Sequence, residues 1–282
     1  MLPVEIAAPY CEVVGIAKNL IRPIAGVIWL WSYFTLGGFL AIAAVPGFYL
    51  ARWGWNMDVE PAWAGAAAGL FDAFVGMYWS IMGFFAFGLS LMVVLPIVRL
   101  FFWHVLRWKP HTDAISIHSY RIWFWYNHNG LLFVFNTVFG RFARLTSVYN
   151  WYLRGMGATI GRNVVFNTQH VYDLDLISVG DNTVIGANAS ILGHVGEKGK
   201  LVRQPIKIGN NCTVGQYTNI FPGVTIGDNC HVGAMSLVPK GSTLEANSIY
   251  GGVPVHKIRD LQPGERASAD DVSATTSPKV SA

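Results

Sequence analysis

Charged residues are scarce in this chain of 282 residues. They make up 13% of the sequence, against 52% hydrophobic and 14% aromatic residues, and this composition excludes an ordinary soluble protein. Most of the 11 Trp and 17 Phe precede residue 151, whereas Gly, Asn and Val alternate after it. Composition therefore predicts two parts, the first of which lies in a lipid bilayer.

Cysteine is rare as well. Cys11, Cys212 and Cys230 form neither a C-x-x-C pair nor a zinc-ligand spacing, which argues against a disulfide framework and a zinc ribbon. A reducing compartment is compatible with this usage, and no metal is expected. Cys212 and Cys230 stand 18 residues apart, and we interpret both as small core residues of the repeat described below.

Acidic residues are nearly absent from 99–154, where seven Lys or Arg accompany the single acid Asp113. This bias suits an anionic membrane surface. Because the basic residues are interleaved with Trp and Phe directly after a hydrophobic tract, we expect no nucleic-acid partner.

Two long tracts lack charge almost completely. Residues 23–51 contain no charged side chain, and residues 61–98 contain only Asp72. About 20 apolar residues suffice for a helix to cross the hydrocarbon core, so we predict transmembrane helices at about 24–50 and 63–98. The sequence thus predicts a membrane α-helical hairpin, with the lipid bilayer as its partner.

Basic residues flank this predicted hairpin on both sides. Lys18 and Arg22 precede the first span and the basic segment follows the second, which places both flanks in the cytoplasm of a bacterial-type inner or plasma membrane. Residues 114–145 mix aromatic and basic side chains and are predicted as interfacial amphipathic helices. The predicted domains are a membrane domain (1–112), an interfacial linker (113–156), a cytoplasmic catalytic β-helix (157–261) and a disordered tail (262–282).

A six-residue repeat dominates the second half. An aliphatic or aromatic residue recurs at every sixth position, and the fifth position of each unit is small: Ile208, Val214, Ile220, Ile226, Val232, Val238, Leu244, Tyr250. Upstream, the same phase is predicted at Ile160, Phe166, Tyr172, Val179, Ile185 and Ile191, with one residue inserted after Tyr172. Three such units close one triangular coil, so the fold class is an all-β left-handed parallel β-helix, a hexapeptide-repeat solenoid.

One interruption breaks the phase. Ile191 and Ile208 are 17 residues apart, which no multiple of six allows, so residues 193–205 must leave the coil as a loop. Loops on rigid scaffolds often carry function.

The loop, its return sequence QPIKIG and the final GGVP motif carry a family resemblance. The run from His194 to Arg259 resembles the hexapeptide-repeat acyltransferases of the maltose and galactoside acetyltransferase kind. The resemblance implies a homotrimer that binds acetyl-coenzyme A between adjacent β-helices, with His194 at the catalytic position. It also implies that the thioester lies along the later coils, with these candidate contacts: Gly233, Ser236, Lys240, Lys257.

A second resemblance covers more of the chain. The predicted hairpin and the segments LRGMGATIG and YDLDLISVGD are similar to the membrane-anchored terminal domain of ε-poly-lysine synthetase-type peptide synthetases. This resemblance implies an acyl donor held as a thioester on a carrier protein, and amide-bond formation as the alternative reaction.

Acyl transfer to a hydroxyl or amine needs a base near neutral pKa. We predict His194 as that base, with Glu197 as its orienting carboxylate. Asp173 and Asp175 either help to position the acceptor or cap a turn, and the sequence leaves both alternatives open. Weaker candidates for acceptor contacts are His170, which falls at a normally small position, Asn167 and His231.

Two other function classes remain as alternatives. A γ-class carbonic anhydrase needs two His five residues apart, and none of the 8 His forms such a pair. A non-catalytic membrane-tethered scaffold would favour a clean repeat without an ejected loop.

Overall fold

The computed structural model describes residues 37–57, 68–107, 114–117, 119, 121–262 and 265. The start of the first predicted span and most of the predicted tail lie outside the described residues. The chain divides into two compact units, Met1–Val94 with His118–Asn127 and Leu95–Ile117 with His128–Ala282. The candidate site described below lies entirely in the second unit.

Helix α1 covers residues 37–55 and helix α2 covers Ala68–Leu100, which continues as a π-helix over Phe101–Val105. The two α-helices approach closely at a pair of glycines. A Cβ placed on Gly47 would lie 2.3 Å from the carbonyl oxygen of Gly83, and the reverse distance is 2.6 Å. Small residues at such a crossing let helix backbones touch, as in helix pairs within membranes.

Helix α2 falls where the second span was predicted. Within the described residues, Gly69–Val105 is the one helical stretch long and apolar enough to cross a membrane, with a mean hydropathy of 2.4. Its exposed side chains follow a helical spacing along one side: Leu70, Phe74, Met77, Ile81, Phe85, Leu89, Val93. The hairpin through a bilayer stays a prediction.

The linker before the β-helix is mostly helical. Helix α3 spans Ile122–Phe135, a π-helix spans Asn136–Gly140, α4 spans Arg141–Ala143 and α5 spans Ser147–Gly155. Thr146 caps α5, because its hydroxyl accepts from the Tyr149 N–H. The interpretation of 114–145 as helices is wrong at its start, where Ile115–Ser116 forms strand β1.

The repeats form a parallel β-helix of three sheets, as predicted. The first sheet contains β2 (Thr159–Ile160), β5 (Ile177–Val179), β10 (Ile206–Ile208), β13 (Thr225–Ile226) and β16 (Thr243–Leu244). The second contains β3 (Val165–Phe166), β6 (Val184–Ile185), β11 (Thr213–Val214), β14 (His231–Val232) and β17 (Ser248–Gly251). The third contains β4 (Val171–Tyr172), β7 (Ser190–Leu192), β12 (Asn219–Ile220) and β15 (Leu237–Val238).

Strand register stacks like residues in the core. Phe166, Ile185, Val214, Val232 and Tyr250 form one column of buried side chains, and the small side chains of Ala189, Thr218 and Ser236 form another. All eight repeat positions from Ile208 to Tyr250 are buried, so the predicted phase is confirmed there.

The predicted phase is wrong by one residue in the first coil. Val171, and not Tyr172, is buried and pairs with Ile191 of the next coil. One residue is therefore missing before Val171 and two are inserted after it. Together, the loss of one residue and the gain of two equal the single inserted residue that the sequence predicted. The sequence spacing alone therefore did not show where the chain departs from the repeat. Tyr172 is consequently only half-buried.

The two ends of the solenoid are covered. At the first coil, Tyr149 of α5 contacts Phe166 edge-on, with ring centroids 6.2 Å apart, and Phe135 stacks on Tyr152 at 3.9 Å. At the last coil, β18 (His256–Asp260) pairs antiparallel with β17. These segments shield the exposed ends of the apolar column.

Candidate active site

The segment that leaves the coil is an antiparallel β-hairpin. Strand β8 (His194–Glu197) pairs with β9 (Lys200–Arg203), and His194 lies opposite Arg203. The turn residues Lys198 and Gly199 have φ of 48° and 72°, the left-handed geometry of a tight two-residue hairpin. The loop predicted from sequence is therefore an ordered structure.

Two contacts fix the hairpin to the rest of the second unit. The Gln204 N–H donates to the Gly193 carbonyl at 3.0 Å and closes the base of the hairpin. Strand β1 pairs antiparallel with β9, where Ile115 lies opposite Leu201, and makes a three-stranded sheet. Arg203 thus lies on a central strand that is paired on both sides, and His194 begins the edge strand beside it.

The inserted residues after Val171 place Asp173 inside the protein. Asp173 is fully buried and left-handed, with φ 56° and ψ 51°, and precedes a 3₁₀ turn over Leu174–Leu176. A non-glycine residue in this region is uncommon, and such backbone strain concentrates at functional sites. Gly193 allows the approach of Asp173, because a Cβ on Gly193 would lie 2.6 Å from the Asp173 Cβ.

Asp173 and His194 form a hydrogen-bonded pair. The His194 Nδ1 lies 2.5 Å from the Asp173 Oδ2, and the imidazole retains 24% exposure while the carboxylate has none. A carboxylate at Nδ1 fixes the ring orientation and the tautomer that carries the proton on Nδ1, so that Nε2 is the basic nitrogen of the ring. This arrangement is an acid–base dyad with a reachable base.

Arg203 holds the buried carboxylate in place. Its Nε donates to Asp173 Oδ1 at 3.0 Å and its terminal nitrogen donates to Asp175 Oδ1 at 2.6 Å. The guanidinium is fully buried, so these are ion pairs shielded from solvent. Because Arg203 and His194 are cross-strand neighbours, both reach the same carboxylate from one face of the hairpin.

Asp175 carries the second carboxylate of this cluster, and His128 Nε2 lies 3.4 Å from its Oδ1. Burial raises the pKa of Asp175, but the neighbouring His128 imidazole and the Arg203 guanidinium outweigh burial and hold that pKa well below its usual range. The cluster therefore contains two carboxylates and one guanidinium, with the His128 imidazole beside Asp175. The Asp173 carboxylate stabilises an imidazolium that forms at His194 during proton transfer.

Glu197 does not have the predicted role. It pairs with Lys240 at 2.8 Å, and the orienting carboxylate of His194 is Asp173. Residues three apart on a strand point to opposite faces, which explains why Glu197 cannot reach the imidazole of His194. The same ion pair engages Lys240, which was predicted to contact the thioester.

The other predicted thioester contacts lie on the later coils. The Ser236 hydroxyl faces the interior and donates to the Gly233 carbonyl at 2.7 Å, so its side chain is not available to a surface ligand. Lys257 is engaged by Glu245 and Asp260, and hydrogen bonds to these carboxylates raise its pKa.

The predicted acceptor contacts separate into two groups. Asn167 and His170 lie in the first coil and are half-buried. The small buried side chain of that corner is Thr168, which donates to the Ala189 carbonyl at 2.8 Å, so His170 does not occupy the coil interior. His231 lies on β14, where its backbone pairs with Thr213 of the preceding coil.

Several residues of the site carry no signal in the repeat pattern. Asn129 of α3 donates from Nδ2 to Asp173 Oδ1 at 3.3 Å, and its Oδ1 accepts from the Asp173 N–H at 3.3 Å. Tyr172 lies edge-on to His194, with ring centroids 6.5 Å apart. Arg203, on the returning arm of the loop, and Tyr172, at a predicted repeat position, stood in segments that the sequence had already marked, although neither was predicted for the site.

Comparison with known proteins supports the repeat. Residues 205–240 match the family model for bacterial transferase hexapeptide (six repeats), and residues 176–197 match the hexapeptide repeat of succinyl-transferase. The predicted hexapeptide repeat is confirmed over these segments.

Among curated proteins, the chain is 35% identical over 120 residues to galactoside O-acetyltransferase of Escherichia coli (strain K12). The match covers 40% of this chain and 58% of that enzyme. The chain thus spans little more than half the length of this relative, and the resemblance to the galactoside acetyltransferases is confirmed at that extent.

Solved structures of the same kind also match. A maltose O-acetyltransferase from Clostridium difficile 630 is 23% identical, with a TM-score of 0.42 over 53% of this chain and 92% of that chain. A galactoside acetyltransferase in complex with coenzyme A is 28% identical, with a TM-score of 0.37 over 49% and 80% of the two chains. Both TM-scores lie below 0.5.

Proposed function

We propose that this protein is a hexapeptide-repeat acyltransferase that moves an acyl group from a thioester, acetyl-coenzyme A in the first instance, to a hydroxyl or amine. The observation that carries the proposal is the contact between His194 and the buried Asp173, located where the hairpin leaves the β-helix. The relatives named above include acetyltransferases and one complex with coenzyme A.

His194 acts as the general base in this reaction. Its Nε2 takes the proton of the acceptor hydroxyl or amine as the acceptor oxygen or nitrogen attacks the thioester carbonyl. The carbon–sulfur bond then breaks, and the proton on the imidazole passes to the leaving thiolate. Asp173 does not touch the acceptor, and it stabilises the imidazolium between the two proton transfers.

The proposal is tested by calorimetric titration of acetyl-coenzyme A and free coenzyme A into the detergent-purified chain. We expect one ligand per chain and transfer of a labelled acetyl group to an acceptor in a screen of galactosides, maltose and amino compounds. Absence of binding for both ligands would contradict coenzyme A as the carrier. Titration with an acylated carrier protein then tests the alternative of amide-bond formation.

We also propose that the chain is anchored in a bacterial-type inner membrane, with the β-helix on the cytoplasmic side. Helix α2 supports this, because 33 residues exceed the roughly 20 that span a hydrocarbon core, and one side exposes large apolar side chains. An acceptor of amphiphilic character would be concentrated at the same surface.

Membrane anchoring is tested by labelling with a maleimide that does not cross membranes. In a Cys11→Ala background, a cysteine at Thr243 should react only after cells are made permeable, and a cysteine at Asn56 should react in intact cells. Release of the protein by alkaline carbonate would contradict anchoring.

We further propose that the chain forms a homotrimer. Light scattering in detergent, with the detergent mass subtracted, tests this.

A further inference from the structure

The buried aspartate of the dyad is contacted from outside the repeat. Asn129 of α3 makes two hydrogen bonds to Asp173, one to its carboxylate and one from its backbone N–H, both 3.3 Å long. Its neighbour His128 lies 3.4 Å from Asp175. Two consecutive residues of one helix therefore contact both aspartates of the D-L-D turn.

These contacts act on a turn that Arg203 and His194 also contact. Asp173 is left-handed, and its Oδ1 accepts from Asn129 and from Arg203 while its Oδ2 lies against His194. The repeat does not supply the Asn129 contact, because α3 precedes the first coil. A segment that the matched hexapeptide regions do not include therefore also holds the carboxylate that faces His194.

We infer that Asn129 is a positioning residue for acyl transfer, which holds the Asp173 carboxylate in the orientation that His194 requires, and that His128 supports it through Asp175 and Arg203. The inference rests on the proposed function of the dyad. It assigns to the helix before the β-helix a part in the reaction beyond attachment of the repeat.

The electrostatics of the cluster predict a measurable change in the pH dependence of the rate. The titratable or charged groups around the dyad come from five elements: Asp173 and Asp175 from the turn, Arg203 from β9, His128 from α3, Tyr172 from β4 and Arg99 from the end of α2. Replacing the Asn129 amide by a carboxylate adds negative charge beside Asp173. Negative charge stabilises the imidazolium form of His194, so the acid limb of the pH–rate profile should move to higher pH.

The test compares Asn129→Ala with Asn136→Ala in the full chain. Asn136 also donates a side-chain hydrogen bond from the linker to the first coil, to the Gln169 carbonyl at 2.8 Å, but it does not contact the dyad. With acetyl-coenzyme A and maltose or lactose as probe acceptor, we expect kcat to fall about tenfold or more in Asn129→Ala, with KM for the thioester unchanged. Asn136→Ala should keep the wild-type kcat.

Two further measurements keep the test decisive. Asn129→Asp is isosteric, so a purely packing role predicts better activity than Asn129→Ala, whereas the inference predicts the shifted acid limb. NMR of ¹⁵N-histidine-labelled protein reads the Nδ1 proton and the titration of His194 without any acceptor, with the signals assigned by their loss in His194→Gln. This NMR measurement tests the inference in two further cases: when no probe acceptor is turned over, and, through Asn129→Asp, when Asn129→Ala does not fold.

The inference is overturned if Asn129→Ala and Asn129→Asp match Asn136→Ala in kcat and in the His194 titration. If those variants match but His194→Ala abolishes turnover, the proposed function stands and the inference alone fails. If His194→Ala retains wild-type turnover, the dyad is not the catalytic group and the proposed function fails with it.

Discussion

The early and the late coils of the β-helix are built from the same six-residue unit, but only the early coils depart from it. From Ile206 to Tyr250, each strand follows the last at a fixed interval, and the repeat positions are buried. Before Ile206 the chain differs from the six-residue repeat in three ways: it lacks one residue before Val171, it has two extra residues at Asp173, and it extends into the hairpin that starts at His194. The regular coils provide a rigid scaffold, and the departures bring the reactive groups together.

The largest expected effect is on activity, from Asp173→Asn. The amide cannot stabilise the imidazolium of His194 or hold its tautomer, so kcat should fall on the order of 10²- to 10⁴-fold. Steady-state turnover of acetyl-coenzyme A measures this. Asp181→Asn is the matched control, because Asp181 lies at an exposed corner and pairs with Arg162. Equal turnover in the two variants would show that Asp173 does not contribute to the reaction.

Arg203→Met should have the largest effect on stability. The substitution leaves the buried Asp173 and the partly exposed Asp175 without their shared cation, which costs about 3–5 kcal/mol in unfolding free energy. Urea unfolding followed by circular dichroism measures the loss. Arg162→Met removes an exposed ion pair and should leave the unfolding midpoint unchanged.

The same cluster predicts a dependence on pH. Because the pKa of Asp175 is held below its usual range, its contribution to stability is present above the unfolded pKa of about 4 and is lost as pH falls toward the folded value. Wild-type stability should therefore decrease below about pH 4, and Asp175→Asn should flatten that decrease. A decrease of equal slope in both proteins would show that other groups cause it.

A smaller effect is expected within the regular coils. At one corner of the β-helix, each described left-handed residue is Asn: residues 163, 182, 211, 229 and 247. At another corner, Tyr217 and Met235 are left-handed, each with a φ of 56°. Asn tolerates this conformation better than Tyr, so Tyr217→Asn should stabilise the fold by up to about 1 kcal/mol. Destabilisation, measured by thermal unfolding, would indicate that the tyrosine ring has a packing or binding role.

The smallest effect concerns the two cysteines of the regular coils. Burial raises the pKa of the Cys212 thiol to about 11 and that of Cys230 to about 12. Both should therefore resist alkylation at pH 8 in the folded protein and react once it is unfolded. Rapid modification of either thiol in the native state would show that the late coils open locally.

Much of the fold could be predicted because inward-facing side chains recur in the sequence at the period of the structure. From Ile208 onward, each predicted core position is buried. The first coil could not be placed correctly, since a deletion before Val171 and an insertion after it leave nearly the same spacing as an unbroken repeat. Tyr172 was assigned to the core for that reason, and it contacts His194 instead.

The site was predicted less completely than the fold. His194 was identified from the family resemblance of the loop that contains it, and Asp173 from its position at an insertion. Their contact spans 21 residues and depends on a left-handed turn that no local pattern indicates. Asn129 lies 44 residues from Asp173, and its role depends on how α3 docks on the first coil. The repeat period shows which side chains are buried, but it does not show which residues far apart in sequence contact each other.

The most direct test of His194 is transfer of labelled acetyl from acetyl-coenzyme A to maltose or lactose by the full chain with His194→Ala. Thr225→Ala, an exposed strand position of the late coils, serves as the control. We expect a loss of about 10²-fold or more for His194→Ala with acetyl-coenzyme A binding retained, and wild-type transfer for the control. Wild-type transfer by a folded His194→Ala protein would contradict it.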